Sequence, residues 1–212
     1  MPDGARTAAF FGAVPFNGFA GVVPAPAALR TRCVFVSFVA TITPAKKLTP
    51  IEIASRGEIT RRLAKAVCAG LPSDIAVREL KVIAKGLKWP AEDLQIRQLP
   101  PDQGPGNIVT IEIESQQICE VFTGFGQRGV RAEAVAEDAL QEAKRYLASG
   151  APVGQHLADQ LIIPFALAGG GSYVTMEPTP HTTTNIEVVK KFLAVQVSCE
   201  QVSQEQWKIS FG

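Results

Sequence analysis

The 212 residues include two histidines, and each stands beside groups able to use an imidazole. In EPTPHTTTNIEVV, Thr184 and Glu187 have the T-x-x-E spacing of a capping box, which predicts a helix from about Thr184 and leaves His181 in the loop just before it. An imidazole there lies near free backbone N–H groups and the positive end of a helix dipole. Those groups stabilise an anion next to the ring and favour the neutral, nucleophilic imidazole. A loop histidine that is only exposed, or that caps the helix, fits the same spacing. His156 lies close before Asp159 and Gln160 on another predicted helix, so the three polar groups share a face, although solvent exposure accounts for that cluster equally well.

Two other segments have the composition of ligand loops. GFGQRG (124–129) sets glycines and Arg128 ahead of a helix amino terminus, an arrangement that receives phosphates. PPDQGPGN (100–107) is rich in turn formers and reads as a surface loop between two strands. The cysteines Cys33, Cys68, Cys119 and Cys199 form no C-x-x-C pair and have no histidine near them in sequence, so no metal-ligating residues are expected. As reduced, mostly buried thiols they suit an intracellular protein. With 21 basic against 20 acidic residues there is no global field to draw in nucleic acid, and any RNA or nucleotide binding must rest on local groups.

These residues are set on alternating elements. EITRRLAKAVCAG (58–70), EDLQIRQL (92–99) and 118–125 read as strands, and so does VFVSFVATITP (34–44). In NIVTIEIES (107–115), Val109, Ile111 and Ile113 face one side and Thr110, Glu112 and Glu114 the other, so one face is expected to be wet. Pro72-Ser73 starts a helix with Ala76, Leu80, Ile83 and Leu87 on one face and Gly86 near its stop. A longer helix over 131–149 carries Ala132, Val135, Ala136, Ala139, Leu140, Ala143, Tyr146 and Leu147 at helical spacing, closed by Gly150 and Pro152. In the apolar helix over 154–171, Pro164 should bend or end the helix. SYVTME, the TNIEVVKKFL helix and the hairpin AVQVSCE/QWKISFG complete an α+β chain. Residues 1–33 read as a loosely structured extension: they hold an uncharged stretch between Arg6 and Arg30, but Pro15, Pro24, Pro26 and glycines interrupt it, so no membrane span is expected.

The segments DQGPGN (102–107), AEAVAEDALQEAKRYLASGAPVG (132–154) and VGQHLADQLIIPFALAGGGSYVTMEPTPHTTTNIEVVKKFL (153–193) together resemble the RNA 3′-terminal phosphate cyclases. The blocks HLADQL, ALAGGG and HTTTNIEVV stand in the family's order and spacing, and the resemblance runs from about Ala40 to Gly212. It implies that His181, in the H-T-x-T-N block, is the nucleophile that becomes covalently adenylylated. It places Asp159 and Gln160 in the nucleotide pocket and His156 where members often have a tyrosine. An aromatic before the G-F-G-type turn stacks on adenine in the family, and Phe122 and Phe125 are both candidates.

The implied fold is a large domain of repeated β-α-β-α-β-β units with a smaller inserted α/β domain. On this chain the resemblance gives 34–49 as the end of a large-domain repeat, 50–149 as the insert and 150–212 as the last repeat. The E-G-G-G-Q motif and RNA-holding arginines with which members begin have no counterpart in residues 1–45, so the first repeats are expected to be missing. The implied activity is ATP-dependent conversion of RNA 3′-phosphate ends to 2′,3′-cyclic phosphates, with Mg2+ accompanying the nucleotide. The location would be the nucleus for a eukaryotic source and the cytoplasm otherwise. Two other readings are a non-catalytic relative acting in ribosomal RNA processing, against which His181 counts, and an inactive truncated isoform that only binds nucleotide or partners.

Overall fold

A computed structural model describes residues 47–212. The extension 1–33 and the strand expected at 34–44 lie outside the described residues. The fold is α+β, with two four-stranded mixed sheets, each carrying a pair of helices.

The first sheet has the order β3-β2-β4-β5, from β2 (Ile59–Ala69), β3 (Leu94–Leu99), β4 (Gly106–Ser115) and β5 (Cys119–Phe125). β3 runs parallel to β2, while β4 pairs antiparallel with both β2 and β5. α1 (Asp74–Leu87) and α2 (Ala132–Ser149) cover one face. The alternation in β4 shows why: Val109, Ile111 and Ile113 are fully buried under Ala139, Leu140 and Ala143 of α2 and their neighbours, each contributing roughly 1.5–3 kcal/mol of apolar transfer. The opposite face of β4 is drier than its composition suggests. Glu112 is buried because the Lys65 ammonium, diagonal to it on β2, lies 3.2 Å from its carboxylate. Gly86 has a packing role: a Cβ there would sit 2.3 Å from Cδ2 of Leu140, so α1 approaches α2 through a missing side chain, and the helix ends at left-handed Lys88.

The second sheet has the order β1-β6-β8-β7, from β1 (Glu52–Ile53), β6 (Gly171–Thr175), β7 (Val197–Ser203) and β8 (Gln206–Phe211). β1, which falls within the range 50–149, pairs in parallel with β6 and so joins this sheet. α3 (Gln155–Ala168) and α4 (Pro180–Phe192) pack on it around Phe165, Tyr173, Ile209 and Phe211.

One helical expectation is narrowed and another corrected. α3 runs through Pro164 for another turn, because buried Leu161 and Ile162 before the proline and Phe165 and Ala166 after it hold both halves against the core. α4 starts at Pro180, one turn before Thr184. Thr179 is its N-cap and its hydroxyl oxygen accepts from the Thr182 N–H at 3.3 Å, while Pro180 at the first helical position is preset in φ. His181 is therefore in the first turn of the helix rather than in the loop before it.

The two units are joined by apolar contacts, Met176 against the first core and Ile118 against the second, and by polar groups. The Tyr146 hydroxyl donates to Pro152 O, Gln206 donates to Ser149 O, and the Arg56 guanidinium lies 5.1 Å from the Tyr146 ring centre and donates to Leu147 O.

Candidate functional site

His181 is exposed in the first turn of α4, where the helix dipole favours an anion, while the Thr182 and Thr183 N–H groups are already taken by Thr179. One turn further on, Asn185 donates to the Asp159 carboxylate of α3. Positions 181 and 185 share a helix face, so His181 lies on the side of α4 that meets α3. Asp159 is half-buried by this contact, whereas its neighbour Gln160 points elsewhere and is exposed.

Gln160 and His156 line a cleft of about 340 Å³ between α3 and β5, and Phe125 and Thr123 line its opposite wall. The cleft and the Asp159–Asn185 contact thus lie on neighbouring flanks of α3, with His181 beyond the contact. His156 Nε2 is 3.6 Å from the Glu142 carboxylate of α2, an ion pair when the ring is protonated. The two candidate aromatics occupy different places. Phe125 is 66% exposed, whereas Phe122 is buried in the first core with its ring 5.4 Å from that of Tyr146.

At the floor of the cleft lies Glu120, a residue that pattern reading passed over. Its Oε1 accepts from the N–H of Gly154, the N-cap of α3, at 2.5 Å. Burial pushes its carboxyl up to about 7 against the opposing pull of that N–H. The signal was its parity: on β5, Glu120 falls with Phe122 and Gly124 on the face turned to the core.

The loops 100–107 and 124–129 come together elsewhere, around a cavity of about 510 Å³ at the amino ends of α1 and α2. The anion at the start of α2 is a side chain of the protein itself. Glu133 sits between Arg78, at 3.3 Å, and Arg131, at 3.4 Å, and its own backbone N–H together with Arg78 holds its carboxyl below the ordinary range. Behind Asn107, Glu79 is fully buried, accepts from the Asn107 amide at 2.5 Å, and is pushed by burial up to about 6.

Among the described residues, no group of three or more His, Cys, Asp or Glu side chains is placed to hold a metal ion. No helix of the described residues is long and apolar enough to cross a membrane.

Residues 54–148 match the family described as RNA 3′-terminal phosphate cyclase (RTC), insert domain. The RNA 3′-terminal phosphate cyclase of Ectopseudomonas mendocina is 41% identical over 168 residues, covering 79% of this chain and 49% of that protein. The cyclase of Salmonella typhimurium is 43% identical over 159 residues, 75% of this chain and 46% of its own length. That of Koribacter versatilis is 42% identical over 167 residues, 79% of this chain and 46% of its own length. The chain spans about half the length of the curated relatives it matches. These relatives are bacterial, which weighs against a nuclear setting.

Proposed function

The chain belongs to the RNA 3′-terminal phosphate cyclase family, and from that premise we propose that it serves the ATP-dependent conversion of an RNA 3′-terminal phosphate to a 2′,3′-cyclic phosphate. The observation that carries the reading is the arrangement around α3: Phe125, His156 and Gln160 on one cleft, and Asp159 bonded to the helix face that bears His181. In this reading residues 50–149 act as the inserted domain, with β1 tying its start to the catalytic sheet, and 150–212 as the last repeat.

Direct attack of the RNA 2′-hydroxyl on the terminal phosphate would have to expel a poor leaving group. Covalent catalysis divides the problem. The neutral imidazole of His181 attacks the α-phosphorus of ATP, forming a P–N bond and releasing pyrophosphate. An oxygen of the RNA 3′-phosphate then attacks the same phosphorus, breaking the P–N bond and leaving an RNA–AMP anhydride. Finally the 2′-hydroxyl loses its proton and closes onto the 3′-phosphorus, expelling AMP. Asp159 and Gln160 orient the nucleotide, while Phe125 and His156 offer ring faces to the base from opposite walls. The acidic residues described supply no cage for a metal, so a divalent ion would enter with the phosphates of ATP, where Mg2+ offsets the charge of the departing pyrophosphate.

The test is the linkage. A histidine phosphoramidate is labile to acid and survives alkali, unlike an ester to Thr182, Thr183 or Thr184. ATP labelled at the α-phosphate is expected to leave acid-labile AMP on the protein, and His181→Ala to abolish it without loss of fold. Label retained in that variant, or an acid-stable linkage, overturns the assignment. Because the chain covers about half of its relatives, a second reading is that it binds nucleotide without turnover; saturable ATP binding with no label would favour it.

A further inference from the structure

The cleft beside α3 has walls from two separately cored units. Phe125, Thr123 and Glu120 come from β5 of the first sheet, and His156, Leu157 and Gln160 from the helix over the second. Its width therefore depends on what crosses between them. At the floor of the cleft the crossing is made by one short bond, from Gly154 N–H to Glu120 Oε1 at 2.5 Å. Gly154 is fitted to that approach, because a Cβ there would lie 3.0 Å from the carboxylate. α3 has no side-chain cap from its own N-cap residue, so a carboxylate supplied by another element meets its amino end.

We infer that Glu120 is a positioning residue, holding the first turn of α3 against β5 through Gly154 and so fixing the spacing between Phe125 and the His156–Gln160 wall. The inference rests on the cleft being the nucleotide site. Oε1 is committed to Gly154, so Glu120 acts through the backbone of α3, and the groups that touch the ligand are the ones it spaces. The bond is charge-assisted when Glu120 is ionised and weaker when it is protonated, which couples the spacing to pH near neutrality. The groups facing Glu120 are Cys119 beside it, Tyr146 and Glu142 from α2 and His156 from α3, with Arg56 over the Tyr146 ring. A glutamine at 120 removes the ionisation of this one carboxyl and leaves the groups that face it in place.

The experiment uses the full chain and adenosine, which has no group ionising near neutral pH. Adenosine affinity and the amide resonances of Gly154 to Gln160 are followed from pH 5.5 to 8.5 in the parent, Glu120→Gln and Glu120→Ala. The parent Gly154 amide is expected to titrate near 7, with affinity falling as pH drops through that midpoint. In Glu120→Gln, which keeps an acceptor for Gly154, the Gly154 titration disappears and affinity stays within about threefold of the parent. Glu120→Ala is expected to bind roughly tenfold more weakly than the parent above the midpoint, the scale of one lost charge-assisted hydrogen bond, with the difference narrowing as pH drops below it. Should Glu120→Ala fail to fold, the comparison of Glu120→Gln with the parent still decides. A parent Gly154 amide that does not titrate, or an alanine variant with unshifted α3 amides and full affinity, overturns the inference. If no variant binds adenosine while the Gly154 amide still follows Glu120, the bond across the floor stands and the nucleotide reading of the cleft fails.

Discussion

Asn185 donates a hydrogen bond to the carboxylate of Asp159, joining α4 to α3 one turn beyond His181. The contact leaves Asp159 half-buried, so removing the amide strands a charged acceptor. Asn185→Ala is expected to cost about 1–3 kcal/mol of stability, the range for a hydrogen bond to a charged group. It should also slow AMP transfer to His181 more than it weakens nucleotide binding, since Gln160, His156 and Phe125 line the cleft and take no part in this contact. Urea midpoints and single-turnover labelling check both parts, and an equal loss in binding and transfer would contradict this division.

Phe122 and Phe125 stand close together on one strand and are expected to fail differently. Phe125→Ala removes an exposed ring from the cleft wall and should weaken adenosine binding by roughly 1–3 kcal/mol, the scale of base–aromatic stacking, with little change in melting temperature. Phe122→Ala opens a cavity against Tyr146 and should cost roughly 3–5 kcal/mol of stability. Calorimetric binding and thermal melts on both variants distinguish them. A selective loss of affinity in Phe122→Ala would transfer the stacking role to that residue.

What was legible in the residues divides along the range of the forces involved. The β4 alternation and the α2 stripe reflect burial against a single surface, and each element formed where its pattern pointed. β1 is two residues long and carries no period to read; its pairing with β6 is set by chain far away. That α3 continues past Pro164 is set by the core on both sides of it, which offsets a local cost that an isolated helix would bear in full. In the site, the resemblance supplied residue types, but that Gln160 lines the cleft while Asp159 meets Asn185 follows from how the helix rolls onto its sheet. The choice between Phe122 and Phe125 rests on strand parity, which becomes readable once the side covered by α2 is known. Glu120 was passed over because an acidic residue on a strand reads as solvated unless the opposite face is already assigned to the core.

The start of α4 is a further case, and it can be measured. Two threonines compete as caps. Thr184 has the capping-box spacing with Glu187, while Thr179 has a proline behind it and accepts from Thr182 N–H at 3.3 Å. Thr179→Ala is expected to cost about 1 kcal/mol, typical of a lost N-cap, and to increase amide exchange at Thr182. Thr184→Ala, an exposed change inside the helix, should stay within about 0.5 kcal/mol of the parent. Reversal of the two effects would return His181 to a loop before the helix.

Glu120 also sets an expectation for stability against pH. Burial holds its carboxyl at about 7 in the folded protein, compared with 4.5 for an ordinary glutamate. Between those values the native state keeps a proton that the unfolded chain has released. Its contribution is therefore fully present below about pH 4.5 and is lost as pH rises through 7. The loss amounts to about 3 kcal/mol, an order-of-magnitude figure from the size of the shift. Glu120→Gln keeps the volume and the acceptor for Gly154 without an ionisation, so the variant should gain on the parent as pH rises from 5 to 8. Glu79, pushed up to about 6 at the other end of the first core, titrates in both proteins and cancels in the difference. Urea unfolding of the two proteins at half-unit steps over this range tests the expectation. A stability difference that does not change with pH would mean that Glu120 stays ionised in the folded chain and that the Gly154 N–H outweighs the cost of burying it.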